Sequence, residues 1–79
     1  MEDLLAFLAR GLVDDPDDVV VDSFEEEDGT IVLELTVADG DAGKVIGRGG
    51  RTIAALRTVV KASSVRENRR VLVDVVDPQ

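Results

Sequence analysis

The sequence predicts an α+β fold in which a three-stranded sheet carries helices on one face. Apolar residues recur at helical spacing over residues 2–13 and again after residue 51, whereas they alternate with other residues over 31–37 and 70–76. The predicted order is helix, strand, strand, helix, helix, strand. A sheet this small must bury its apolar side under helices, and 79 residues are enough for one domain over 1–79.

The first half of the chain predicts a helix followed by a hairpin. The helix covers residues 2–13, and its apolar positions are Leu4, Leu5, Phe7, Leu8, Leu12 and Val13. It is expected to stop at Asp14-Asp15-Pro16, because a proline disfavours helix at the residue before it. Strands are predicted at Val19–Phe24 and Ile31–Val37, and the turn signal Asp28-Gly29 between them indicates an antiparallel pair.

The second half predicts two helices and a last strand. A short helix ends at Ile46 and is capped by Asp41 or, alternatively, by Asp39. The next helix begins at Arg51; its core stripe is Ile53, Leu56, Val59, Val60 and Ser63, and its other side carries Arg51, Arg57, Thr58 and Lys61. A polar connection over 67–70 leads to a strand at 70–76, and residues 77–79 are expected to fray.

A glycine-rich loop, Gly47-Arg48-Gly49-Gly50, joins the two helices. Glycines lack the Cβ atom that would keep another polymer's backbone at a distance, and they allow a sharp turn. The N-terminus of the following helix attracts phosphate, and Arg48 and Arg51 add two positive charges there. The loop therefore predicts an anion-binding turn, although a short G-x-x-G segment is also compatible with a plain helix–helix connection.

The distribution of charge supports a nucleic-acid partner even though the formal net charge is −8. Residues 1–43 hold fourteen acidic side chains and one basic one, a charge of −13, whereas residues 44–70 hold eight basic and one acidic, a charge of +7. Residues 71–79 add −2. The positive block coincides with the glycine loop and the helix after it. This local charge, unlike the net charge of the whole chain, indicates where a nucleic acid would bind.

Several functions are excluded or disfavoured by composition. Without cysteine or histidine the chain has no thiol nucleophile, imidazole base or Cys/His zinc site. Gly43-Lys44 precedes Val45 where a phosphate-binding P-loop needs Ser or Thr, and Thr52 stands where a dinucleotide-binding loop needs glycine. We expect no enzyme activity, cofactor or metal. Two Phe residues and no Tyr or Trp leave little scope for aromatic stacking on bases.

Location is also predicted from the residues present. The start Met1-Glu2-Asp3 lacks the basic and apolar segments of a signal peptide. No apolar run approaches the roughly 20 residues that span a bilayer. A cytoplasmic protein without a membrane partner is expected.

The run Val45-Ile46-Gly47-x-x-Gly50 resembles the GXXG loop of KH domains, which clamps the backbone of about four nucleotides. The element order matches the second topological type, type II. The opening helix, the turn over 12–17, the hairpin, and the segments Gly43–Gly47 and Arg51–Arg57 are together similar to the KhpA family of small bacterial single-KH RNA-binding proteins. The resemblance covers essentially the whole chain.

This resemblance implies that the chain binds single-stranded RNA and acts as a post-transcriptional regulator or RNA chaperone linked to cell shape, elongation and division. It also implies pairing with a second copy or with a larger KH protein, KhpB. The implied RNA-binding residues are Lys44, Val45, Ile46, Gly47, Arg48, Gly49, Gly50, Arg51, Thr52 and Ile53, with bases on the three apolar side chains and the opposite wall of the groove formed by a sheet edge. Gly49 departs from the family, where a polar or basic residue is common.

A protein–protein assembly module is the alternative function. The first helix or the acidic region Asp14–Asp28 would then be the docking surface, with RNA binding secondary.

Overall fold

The elements follow one another in the predicted order, α-β-β-α-α-β, and the α+β class of the prediction is confirmed. The computed structural model describes residues 1–64 and 68–76. Its helices are α1 (Glu2–Arg10), α2 (Ala42–Ile46) and α3 (Arg51–Ser64), and its strands are β1 (Val20–Glu25), β2 (Ile31–Thr36) and β3 (Val71–Val76). Short 3₁₀ turns lie at Pro16–Asp18 and Arg48–Gly50. The predicted frayed end, 77–79, and the start of the predicted connection at Glu67 lie outside the described residues.

The sheet has the order β1-β2-β3, with β1 antiparallel and β3 parallel to the central strand. The predicted hairpin is confirmed by the antiparallel pairing of β1 with β2. In its turn, the N–H of Gly29 donates to the carbonyl of Glu26. A parallel neighbour needs a crossover connection, and α2 and α3 supply it. These two helices pack beside β3, whereas α1 packs against β1 and α3.

Alternation along β2 and β3 places the core on the helical side of the sheet. Ile31, Leu33 and Leu35 are buried, and the register pairs the first two with buried Val71 and Val73. The intervening residues of these two strands are half-buried or exposed. One face of the sheet is therefore covered by helices, and the other, called the outer face below, is open.

The first helix is shorter than predicted, ending at Arg10 instead of Val13. The N–H of Gly11 bonds to the carbonyls of Phe7 and Leu8, and a tight 3₁₀-type bond from Leu12 to Ala9 closes the last turn. The side chains of Leu5, Ala6 and Ala9 form the buried stripe, while Phe7 is 73% exposed. Leu12, another of the predicted apolar positions, is 40% exposed, so the apolar side of this segment is only partly covered.

The remaining boundaries shift by one residue at some strand ends, but two assignments on α3 change. Val59 and Ser63 were placed in the core stripe and are exposed, whereas Ser64 is buried with Ile53, Leu56 and Val60. The buried set recurs every three or four residues, so the stripe is narrower than predicted. In the described part of the chain, no helix is long and apolar enough to cross a membrane.

Candidate nucleic-acid interface

Gly47 connects α2 to the loop in a conformation that other residues avoid. Its φ and ψ are 75° and 172°, a region occupied almost only by glycine. A Cβ on this residue would lie 2.7 Å from the Cβ of Thr52 and 2.9 Å from its backbone nitrogen. The loop can therefore close against the first turn of α3 only because Gly47 has no side chain.

The tip of the loop is open to solvent. Gly49 is in the left-handed region with φ 64° and ψ 18°, and a Cβ added there would meet nothing within 4 Å. The N–H of Gly50 bonds to the carbonyl of Gly47 and holds the turn together. Arg48 and Arg51 are exposed on either side of the tip, and neither forms an ion pair within residues 1–64 and 68–76.

The three apolar residues expected to carry bases are placed differently from one another. Val45 is completely buried and Ile53 is 7% exposed, so both belong to the core. Ile46 is 37% exposed, and Thr52 is half-buried beneath the loop. The expected platform of three apolar side chains is thus reduced to Ile46, because α2 and α3 need the other two to pack on the sheet.

Lys44, which lies just before the loop in sequence, forms ion pairs with two carboxylates. Its Nζ atom lies 3.1 Å from the Asp14 carboxylate and 3.2 Å from that of Asp41. Asp41 is 2% exposed and also accepts hydrogen bonds from the N–H groups of Asp14, at 3.4 Å, and Asp15, at 3.1 Å. We call Lys44, Asp14, Asp41 and these two N–H groups the Lys44 clasp.

The clasp shifts the pKa values of Asp41 and Lys44. Burial raises the pKa of Asp41, but hydrogen bonds from the Asp15 N–H, the Lys44 ammonium and the Asp14 N–H outweigh it, so the pKa is below its ordinary value. Hydrogen bonds to Asp14 and Asp41 raise the pKa of Lys44. The prediction that Asp41 caps α2 is correct for its position only, because its side chain makes no cap hydrogen bond.

The basic flank of α3 is partly engaged by the sheet. The Nε–H of Arg57 donates to the carbonyl of Val73 at 3.1 Å, which ties α3 to the edge strand β3. This strand is the sheet edge beside α2 and α3. Lys61 is exposed and, with Arg69 and Arg70, lines an open depression of about 600 Å³ near the far end of α3.

The outer face of the sheet carries a row of acidic residues that strand-by-strand prediction missed. The register places Asp22, Glu34 and Asp74 side by side on the three strands. Phe24 and Leu72 lie on the same face and are about half-exposed. The alternation in each strand already indicated that these acidic residues face away from the core. That they lie side by side follows only from the register of the three strands. The negative charge of this row would repel a nucleic acid from the outer face.

Comparisons with known proteins agree with this architecture. A family model described as KhpA/KhpB, KH domain, matches residues 2–75. A protein of Clostridium acetobutylicum named RNA-binding protein KhpA is 50% identical over 76 residues, covering 96% of this chain and 100% of the relative. Proteins of the same name from Bacillus subtilis and Chlamydia trachomatis are 44% and 40% identical, each covering 98% of this chain and 94% and 97% of the relative. No solved structure matches the chain.

Proposed function

Because this chain belongs to the KhpA/KhpB family of KH domains, we propose that it binds single-stranded RNA along residues 44–53. Relatives that share 40% to 50% of its residues are named RNA-binding proteins. The observation that carries the proposal is the loop geometry, in which a glycine conformation closes the turn against Thr52 and leaves Arg48 and Gly49 exposed. A GXXG loop of this kind clamps nucleotide backbone in KH domains.

In the proposed mode, the RNA backbone passes over the loop tip and the start of α3. Arg48 and Arg51 contact phosphates, and the dipole at the N-terminus of the 14-residue α3 adds to their attraction. Ile46 supplies apolar contact for a base, whereas Val45 and Ile53 act by fixing the backbone around it. The nearest edge strand, β3, forms the opposite wall. The proposed activity is binding without catalysis.

The test compares two variants with the same chemical change. Arg48→Asp/Gly49→Asp alters the loop, and Arg10→Asp/Gly11→Asp alters an identical Arg-Gly pair that is also exposed at the end of α1. Each double variant lowers the net charge by three. Binding of a labelled pool of short single-stranded RNAs is measured by anisotropy at two salt concentrations, after circular dichroism shows that both variants are folded.

We expect the loop variant to lose salt-dependent binding and the α1 variant to retain most of it. Equal losses would mean that binding responds only to overall charge, and no loss in either would place the RNA elsewhere; both outcomes contradict the proposal. The same strands made as DNA test whether 2′-hydroxyl groups are recognised.

A second function, assembly with another copy or with a larger KhpB-like KH protein, is favoured by apolar side chains on the surface. Phe7, Phe24 and Val59 are 73%, 52% and 45% exposed. Light scattering coupled to gel filtration tests self-assembly. A stable dimer that is insensitive to Arg48→Asp would support this function, and a monomer at high concentration would contradict the homodimer. An RNA-regulatory or RNA-chaperone role in cell shape and division, and a cytoplasmic location, stay predictions.

A further inference from the structure

The Lys44 clasp links two distant segments of the chain at the base of the loop. Asp14 and Asp15 belong to the connection between α1 and β1, while Asp41 and Lys44 flank the start of α2. The carboxylate of Asp41 accepts a hydrogen bond from the N–H of Asp15, which lies 26 residues earlier in the chain. This contact joins distant segments at the short helix that leads into Gly47.

The buried carboxylate of Asp41 needs Lys44 as its counter-ion. Its carboxylate is 2% exposed, and a buried carboxylate is strongly unfavourable unless it is hydrogen-bonded and neutralised. Two backbone N–H groups supply hydrogen bonds, but the Lys44 ammonium is the one cation paired with it among the described residues. If Lys44 moved to an RNA phosphate, Asp41 would lose its counter-ion.

The clasp is also close to the loop along the chain. The helix α2 has only five residues, and the N–H of Gly47 bonds back to the carbonyl of Gly43, the neighbour of Lys44. The N–H of Lys44 itself donates to the carbonyl of Asp41. The position and tilt of this single turn therefore decide where the glycine loop begins.

We propose that Lys44, held by buried Asp41 and by Asp14, is a positioning residue that orients the RNA-binding loop and does not contact phosphate. This inference rests on the proposed function and changes one member of its residue set. Lys44 keeps α2 against the Asp14–Asp15 connection, so the glycine loop and Arg48 meet the RNA in a fixed orientation.

Positioning and phosphate contact predict opposite results when a negative charge is removed. Replacing Asp41 by Asn removes a carboxylate near the RNA, which by charge alone would strengthen binding. If Asp41 and Lys44 position the loop, the same change weakens binding. Asp39→Asn is the matched control, because Asp39 is exposed two residues away and forms no ion pair or side-chain hydrogen bond within the described part of the chain.

The experiment measures affinity for a labelled single-stranded RNA pool over a series of salt concentrations. We expect Lys44→Gln to weaken binding several-fold at every salt concentration without changing the slope of log K against log salt, and Lys44→Arg to restore it. Arg48→Gln, a lost phosphate contact, should reduce the slope by about 0.7. Asp41→Asn should bind more weakly than Asp39→Asn. A slope reduced by about 0.7 in Lys44→Gln, or tighter binding by Asp41→Asn than by Asp39→Asn, would overturn the inference.

Asp14→Asn decides the question if Asp41→Asn does not fold, since the side chain of Asp14 is 77% exposed. A positioning Lys44 gives equal or weaker binding with an unchanged slope. A phosphate-binding Lys44 released from Asp14 gives tighter binding and a steeper slope, and that result refutes positioning.

Failure of the proposed function is separable from failure of this inference. If the native protein binds no RNA, or if Arg48→Gln binds like native protein, the proposed function fails. The amide NMR resonances of Gly49 and Gly50 in RNA-free Lys44→Gln then decide the inference. Shifts in both that are absent from Asp39→Asn support positioning, and unchanged resonances reject it.

Discussion

Replacing Gly47 by alanine should be far more destabilising than the same change at Gly49, two residues away. At Gly47 the backbone region costs a non-glycine residue about 1–3 kcal/mol. The added methyl would also lie 2.7 Å from the Thr52 Cβ and 2.9 Å from its nitrogen, and overpacking of this kind costs about 1–3 kcal/mol. The sum, about 2–6 kcal/mol, is a large fraction of the roughly 4–12 kcal/mol expected for a chain of this length.

Gly49→Ala provides the matched comparison. This residue is in the left-handed helical region, which costs a side chain about 1–2 kcal/mol, and the added methyl meets nothing within 4 Å. Both substitutions restrict the unfolded chain by the same amount, about 0.4–1 kcal/mol, so this contribution cancels in the comparison. The remaining difference reports the contact with Thr52 and the special conformation of Gly47.

Urea denaturation followed by far-ultraviolet circular dichroism measures the difference, since the chain has no Trp or Tyr for fluorescence. With a urea dependence of about 1–3 kcal/mol per molar, a gap of about 2 kcal/mol separates the midpoints by about 1 M. Equal midpoints for the two variants would refute the loop conformation on which the proposed RNA contact depends.

Three further predictions concern the sheet and the clasp. Leu33→Ala, at a fully buried position of the central strand, should cost about 2–5 kcal/mol in urea denaturation, whereas Phe24→Ala on the open face should cost much less; a similar loss in both would contradict the assignment of faces. Glu34→Gln should raise stability at neutral pH and low salt by about 0.2–1 kcal/mol, because Glu34 lies between two other carboxylates; a gain that is unchanged at high salt, which screens repulsion between exposed charges, would exclude this cause. The pKa of Asp41 is lowered in the folded protein, so its stabilising effect is present above its unfolded pKa and is lost as pH falls through the folded value. Urea midpoints of the native protein should therefore fall more steeply below about pH 4 than those of Asp41→Asn. Parallel curves for the two proteins would contradict this prediction.

Local sequence signals predicted the features that depend on neighbours along the chain. Asp28-Gly29 predicted the hairpin turn, and the Thr30 N–H donates to the Asp28 carboxylate there, which lowers the pKa of Asp28. The glycines of the loop predicted a sharp turn, and Gly47, Gly49 and Gly50 all have positive φ angles. In each case the residue type is required by the backbone conformation of that residue or the next few.

Features that depend on distant segments could not be predicted in this way. Asp41 has the sequence position of a helix cap, but its carboxylate bonds to N–H groups 26 and 27 residues earlier in the chain. Val45 and Ile53 were expected to serve the RNA, yet the packing of α2 and α3 buries them. An apolar residue beside a binding loop has the same sequence signature in either role, and only the tertiary arrangement separates them.

The fold reduces the number of cations that a single domain can offer to RNA. The positive block of residues 44–70 suggested many phosphate contacts, but Lys44 neutralises Asp41, Arg57 bonds to Val73, and Arg69 lies 3.4 Å from Glu25. At the loop this leaves Arg48 and Arg51. Two neutralised phosphates on a single strand correspond to a salt slope of about −1.4, which is a small electrostatic contribution to binding by one domain. If a second KH domain bound the same RNA, its contact would be intramolecular, and the overall affinity would rise about 10²–10⁴-fold. The weak electrostatic site and the apolar residues left on the surface therefore favour an RNA-binding unit that works in pairs.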